Sequence, residues 1–138
     1  MLRIAALSLA LATAAATPAL ASDIVGRWVT PSKGQVEIFK CGAALCGKLI
    51  GSPRLDQEPH LTDELNKDAS KRGRKLKGMT FLEGFGGGPT VFSGGKLYNP
   101  EDGAVYAGTI TVVDPSTLKL KGCVVAPLCK TQVWKRMR

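Results

Sequence analysis

Thr117-Leu-Lys-Leu-Lys-Gly-Cys-Val-Val125 alternates with a period of two. Leu118, Leu120, Gly122 and Val124 fall on one face, and Thr117, Lys119 and Lys121 on the other. Successive side chains of a strand point to opposite faces, so this pattern sets an apolar face on a core and a charged face in water. Asp114-Pro-Ser116 precedes the stretch and supplies turn residues. Ala104–Val113 before that turn and Thr131–Met137 after the stretch also read as strands, so the unit is an antiparallel meander.

The same grammar runs outward through the chain. Strands are predicted over Ile24–Thr30, Gln35–Lys40, Gly47–Gly51, Gly78–Glu83 and Ser93–Tyr98, with Pro31-Ser-Lys-Gly34 and Asn99-Pro-Glu-Asp-Gly103 among the turns. Eight short strands on short loops leave two raw edges unless the sheet closes, and closure gives a barrel. The expected fold is all-β, an up-and-down barrel of about eight antiparallel strands, with an open sandwich as the alternative. Pro53–Lys77 breaks the pattern: it is polar and charged, and Thr62–Asp68 is predicted to form a short helix capped by Thr62. Gly84-Phe-Gly-Gly-Gly88 lacks the Lys-Ser/Thr ending of a phosphate-binding loop and reads as a flexible connector.

The first residues predict export. Arg3 provides a positive start, Ile4–Ala16 is uncharged and apolar or small, and Ala19-Leu-Ala21 fits a signal-peptidase site. A signal peptide over 1–21 leaves one domain over 22–138, in the periplasm or secreted. Four cysteines permit three pairings, and locality favours Cys41 with Cys46 and Cys123 with Cys129. The gaps within the pairs are wide for structural zinc, and an oxidising compartment favours disulfides, so no metal or other cofactor is expected. The formal charge of +8 favours anionic partners such as anionic lipid or envelope polymer, and export argues against nucleic acid.

No catalytic constellation emerges, and the chain is not expected to be an enzyme. His60 is the single histidine, follows Pro59 in a polar loop, and has no framed nucleophile. The eleven carboxylates are scattered, whereas acid–base chemistry needs two groups in contrasting environments. Lys71-Arg-Gly-Arg-Lys-Leu-Lys77 concentrates five basic residues in seven, making Lys71, Arg72, Arg74, Lys75 and Lys77 a candidate anion contact. Most aromatic residues lie in predicted strands. An eight-stranded barrel either fills its interior or holds one small ligand, and in the second case Phe81, Tyr98, Tyr106 and Trp134 are candidate lining residues.

Together these segments resemble a family of exported bacterial proteins, the domain of unknown function 2147. The resemblance rests on Val25-Gly-Arg-Trp28, Val36-Glu-Ile38 leading to Cys41-Gly, Leu45-Cys-Gly47, Gly94-Gly-Lys-Leu-Tyr-Asn-Pro-Glu-Asp-Gly103, Tyr106-Ala-Gly108, Leu118–Gly122, and Leu128-Cys-Lys-Thr-Gln-Val-Trp-Lys-Arg136. It spans nearly all of the predicted mature chain and departs from the family pattern between Asp56 and Gly88. It implies a lipocalin-like barrel. It also gives Gly26-x-Trp28 a structural role, with the indole plugging the closed end and Arg136 lying over the ring by cation–π attraction. The expected function is binding of a small apolar or amphipathic molecule inside the barrel. The alternative is an interaction protein with a filled barrel whose basic face contacts envelope polymers or another protein.

Overall fold

In the computed structural model, which describes residues 10–14, 24–125 and 127–138, eight strands form a closed antiparallel barrel in sequential order. The predicted leader and its cleavage site fall largely outside these residues. The strands are β1 (Gly26–Val29), β2 (Gln35–Cys41), β3 (Ala44–Gly51), β4 (Thr80–Gly87), β5 (Val91–Asn99), β6 (Ala104–Asp114), β7 (Thr117–Val125) and β8 (Leu128–Arg136). Every neighbour in the chain is a neighbour in the sheet, as an up-and-down meander requires. The alternation read in β7 is realised: Leu118 and Leu120 are buried, while Lys119 and Lys121 are exposed.

The seam that closes the barrel is short. β1 pairs with β8 only at Trp28↔Arg136 and Val29↔Lys135. By contrast, β7 and β8 remain paired from Thr117↔Lys135 to Val125↔Leu128. The upper part of β8 therefore rises beyond its pairing with β1.

The turns β2–β3, β4–β5 and β6–β7 gather at one end, and that end is packed. Ile38, Phe85, Phe92, Ile110 and Leu118 fill it, with Ile24 and Trp28 beneath. Phe85 corrects the reading of Gly84–Gly88 as a connector, because β4 continues through Gly87 and carries Phe85 into the core. Its ring lies against Gly95 and Gly108, where an added methyl group would overlap it. Two glycines paired across the neighbouring strands β5 and β6 thus make room for one large side chain, and alternation counting cannot register a glycine whose function is to be absent.

At the other end stand the turns β1–β2, β5–β6 and β7–β8, together with the long β3–β4 connection. Here a second expectation is corrected. Thr62–Asp68 is not helical. Thr62 bridges Lys75 as extended chain, and Asp63 N–H donates to Arg74 C=O at 2.9 Å while Leu76 N–H donates to Leu61 C=O at 3.0 Å. The side chains of Asn66 and Asp68 accept from the backbone N–H groups of Asp68 and Ser70, and such local bonds compete with helix formation. The helix lies earlier, as α1 (Pro53–Gln57). The Ser52 hydroxyl caps it by accepting from Leu55 N–H at 3.1 Å, and proline stands in its first turn. Leu55 is buried and anchors α1 to the barrel mouth.

Candidate functional site

The packed end stops at Val36, Leu120 and Trp134, and above them the barrel is hollow. The cavity measures about 810 Å³ and opens between the long loop and the β1–β2, β5–β6 and β7–β8 sides. That lies within the roughly 300–1,000 Å³ typical of small-molecule pockets. Leu49, Leu55, Leu61, Leu76, Met79, Phe81, Leu97, Leu120 and Trp134 make its wall apolar, whereas Thr30, Ser32, Arg54, Glu64, Glu101, Lys130 and Gln132 contribute polar groups.

All four aromatic residues proposed from the sequence line this hollow. Phe81 and Trp134 face one another with ring centroids 6.4 Å apart and planes tilted at 45°. The Trp134 indole N–H donates to Gln132 Oε1 at 3.0 Å, which satisfies its polar edge and leaves the ring face to the cavity. The tyrosine hydroxyls are spoken for. Tyr106 donates to Asp102 in the β5–β6 turn, which pushes its own pKa up and holds the Asp102 carboxyl below its usual range. Tyr98 donates to Asp63 Oδ1 at 2.6 Å.

Asp63 is the residue that sequence reasoning missed. It is 1% exposed, the one carboxylate among the described residues that is buried. Besides the Tyr98 bond, its Oδ2 accepts from Asn66 Nδ2 at 2.8 Å and from Arg74 Nε at 3.1 Å. The Arg74 guanidinium also lies 5.3 Å from the Tyr98 ring centroid. Burial pushes the carboxyl up, but the hydrogen bonds from Tyr98, Asn66 and Arg74 together with the Arg74 charge outweigh it and hold Asp63 below the ordinary carboxylate range. The reciprocal effect, burial followed by the bond to Asp63, pushes Tyr98 up to about 12. The cluster rivets the long loop to β5 beside the mouth. Asp63 and Tyr98 lie thirty-five positions apart, and no local pattern links them.

The basic heptapeptide is therefore not uniformly free. Arg74 is held by Asp63, and Arg72 Nε donates to Asn66 C=O at 2.7 Å. Lys71, Lys75 and Lys77 are exposed at the same end as the cavity. His60 is exposed as well.

At the packed end the expected plug is present. Trp28 is fully buried and its indole N–H donates to Ile24 C=O at 2.9 Å. The Arg136 guanidinium stacks 4.4 Å from the ring centroid, donating to Pro115 C=O at 2.8 Å and Val25 C=O at 3.3 Å. Gly26 has φ +136°, and a Cβ there would press on the Arg136 guanidinium, so glycine serves both backbone and clearance. Both disulfides are local, Cys41–Cys46 closing the β2–β3 turn and Cys123–Cys129 bridging β7 to β8. Such bonds persist in oxidising compartments, which fits a protein that works outside the cytoplasm.

Three comparisons bear on this architecture. No curated protein matches the sequence. Among solved structures the chain is similar to one described as "Protein HP1028 from the human pathogen Helicobacter pylori belongs to the lipocalin family", with 25% identity, a TM-score of 0.76 and 83% of each chain covered. Residues 26–136, from the first barrel strand to the arginine on the plug, match the profile of the family described as "Uncharacterized protein conserved in bacteria (DUF2147)". The chain thus belongs to the DUF2147 family, and its fold is a lipocalin-like barrel.

Proposed function

We propose that this protein is a non-enzymatic carrier or sensor in the periplasm or secreted medium that binds a small apolar or amphipathic molecule in the open half of its barrel. The observation that carries the reading is the apolar cavity of about 810 Å³ above a packed floor. A filled barrel, the premise of the alternative envelope-interaction reading, would have core side chains in that space. The polar residues of the lining suit a ligand with one polar end.

Gly122 offers a clean test. It lines the cavity, and a Cβ there would meet Tyr106 at an ordinary 3.5 Å, so Gly122→Leu adds bulk to the hollow without backbone strain. Titration with a fluorescent fatty acid should give saturable one-to-one binding to the parent protein and a loss of roughly tenfold or more in Gly122→Leu, because overfilling displaces ligand area. Equal binding by both proteins would show that the probe sits elsewhere.

A further inference from the structure

The tip of the β7–β8 hairpin is apolar and faces water. Val124, Val125 and Leu128 are 63%, 65% and 70% exposed. They stand between Cys123 and Cys129, whose disulfide stiffens the tip. The last pair between β7 and β6 in this direction is Ala107↔Cys123, so Val124 and Val125 continue with β8 alone. A soluble surface rarely groups large aliphatic side chains at a projecting turn without a partner to cover them.

The charge around the tip indicates the partner. From Lys121 to Lys130, the stretch that forms the tip, the chain has two lysines and no acidic residue. Lys121 and Lys130 flank the disulfide, and Lys130 also lines the cavity. Lys71, Lys75 and Lys77 of the long loop are exposed at the same end. Aliphatic side chains at a tip flanked by Lys121 and Lys130 match an anionic bilayer: the apolar groups enter the headgroup region and the ammonium groups meet lipid phosphates.

We propose that the β7–β8 tip is a membrane-docking element that seats the barrel mouth-down on an anionic bilayer. It stands independently of what occupies the cavity. Docked in this way, the mouth and the part of β8 above its pairing with β1 face the lipid.

Co-sedimentation of the purified protein with phosphatidylcholine vesicles, with and without phosphatidylglycerol, tests the assignment. The parent should bind the anionic vesicles and release them at high salt. Val125→Ser/Leu128→Ser should weaken that binding by roughly tenfold or more through lost apolar insertion. Lys121→Gln/Lys130→Gln should weaken it by about fivefold for each lysine. These positions are exposed, and an unchanged melting temperature verifies the fold of each variant. In Val125→Trp the added tryptophan should shift its emission to the blue on anionic vesicles. A parent that ignores anionic vesicles, a serine variant that binds as well as the parent, or a Val125→Trp variant with no shift would overturn the proposal. Self-association lost in the serine variant would also overturn it, assigning the tip to a second copy of the chain. Fatty-acid binding in solution does not require docking, so failure here is distinguishable from failure of the cavity reading.

Discussion

Trp28 and Asp63 are both buried, but they stabilise different halves of the molecule. Truncating Trp28 to alanine removes the floor of the packed end and leaves a cavity, so chemical denaturation should show a loss of ~3–5 kcal/mol; a loss below about 1 kcal/mol would contradict the plug. Asp63 acts through charge. Its folded pKa is depressed below the ordinary value of 3.8, so the stability it contributes is present above that value and is lost as pH falls through the folded pKa. Tyr98 works in the opposite direction: raised from 10.0 to about 12, its contribution is complete below pH 10.0 and is lost as pH climbs toward about 12. Asp63→Asn should cost about 1–3 kcal/mol at neutral pH through weakened charge-assisted bonds, and should flatten the acid limb of a stability–pH curve. An unchanged acid limb would show that the carboxylate does not titrate with unfolding. The Trp28–Arg136 pair was legible because Gly-x-Trp and a terminal arginine are fixed by the family pattern. Asp63 was not, because its partners are drawn together only once the long loop folds onto β5.

The strands were legible because each buries one face, and period-two alternation is the direct imprint of that burial. Where a position makes space instead of filling it, the imprint fails: Gly84–Gly88 reads as a connector because Phe85 lies among glycines, although β4 runs through Gly87. The long loop was misread for a related reason. Thr62 resembles a helix cap, yet Asp63 is claimed by Tyr98 and the backbone by Arg74, whereas the Ser52-Pro53 start of α1 was an available signal of cap and first turn. The two local disulfides follow from spacing and act on single hairpins. Each closes a short loop, so Cys123→Ser/Cys129→Ser should cost roughly 2 kcal/mol in the chain-entropy model. Differential scanning calorimetry would register this as a lower transition of an otherwise intact barrel. A transition at the parent temperature would show that the bond merely decorates a hairpin already held by its ladder.

For the molecule as a whole, the division of labour runs along the barrel axis. One end is occupied by Trp28, Phe85, Phe92 and their neighbours, and stability resides there. The other keeps an apolar hollow, roofed in part by a loop pinned through Asp63 and lined by alternate positions of β7 and β8 such as Leu120, Gly122, Gln132 and Trp134. This explains why the sequence indicated a barrel and candidate lining residues without deciding whether the barrel was filled. Strand periodicity reports which face is inward, and the volume left inside depends on how far the side chains of all eight strands reach. The claim that this volume is a binding site is tested most directly by native mass spectrometry of the protein purified from its native cells. A ligand held in the cavity should give a one-to-one adduct of small-molecule mass that denaturation releases and that Gly122→Leu lacks; the bare chain mass from both proteins, or an adduct equally retained by Gly122→Leu, would contradict a binding site there.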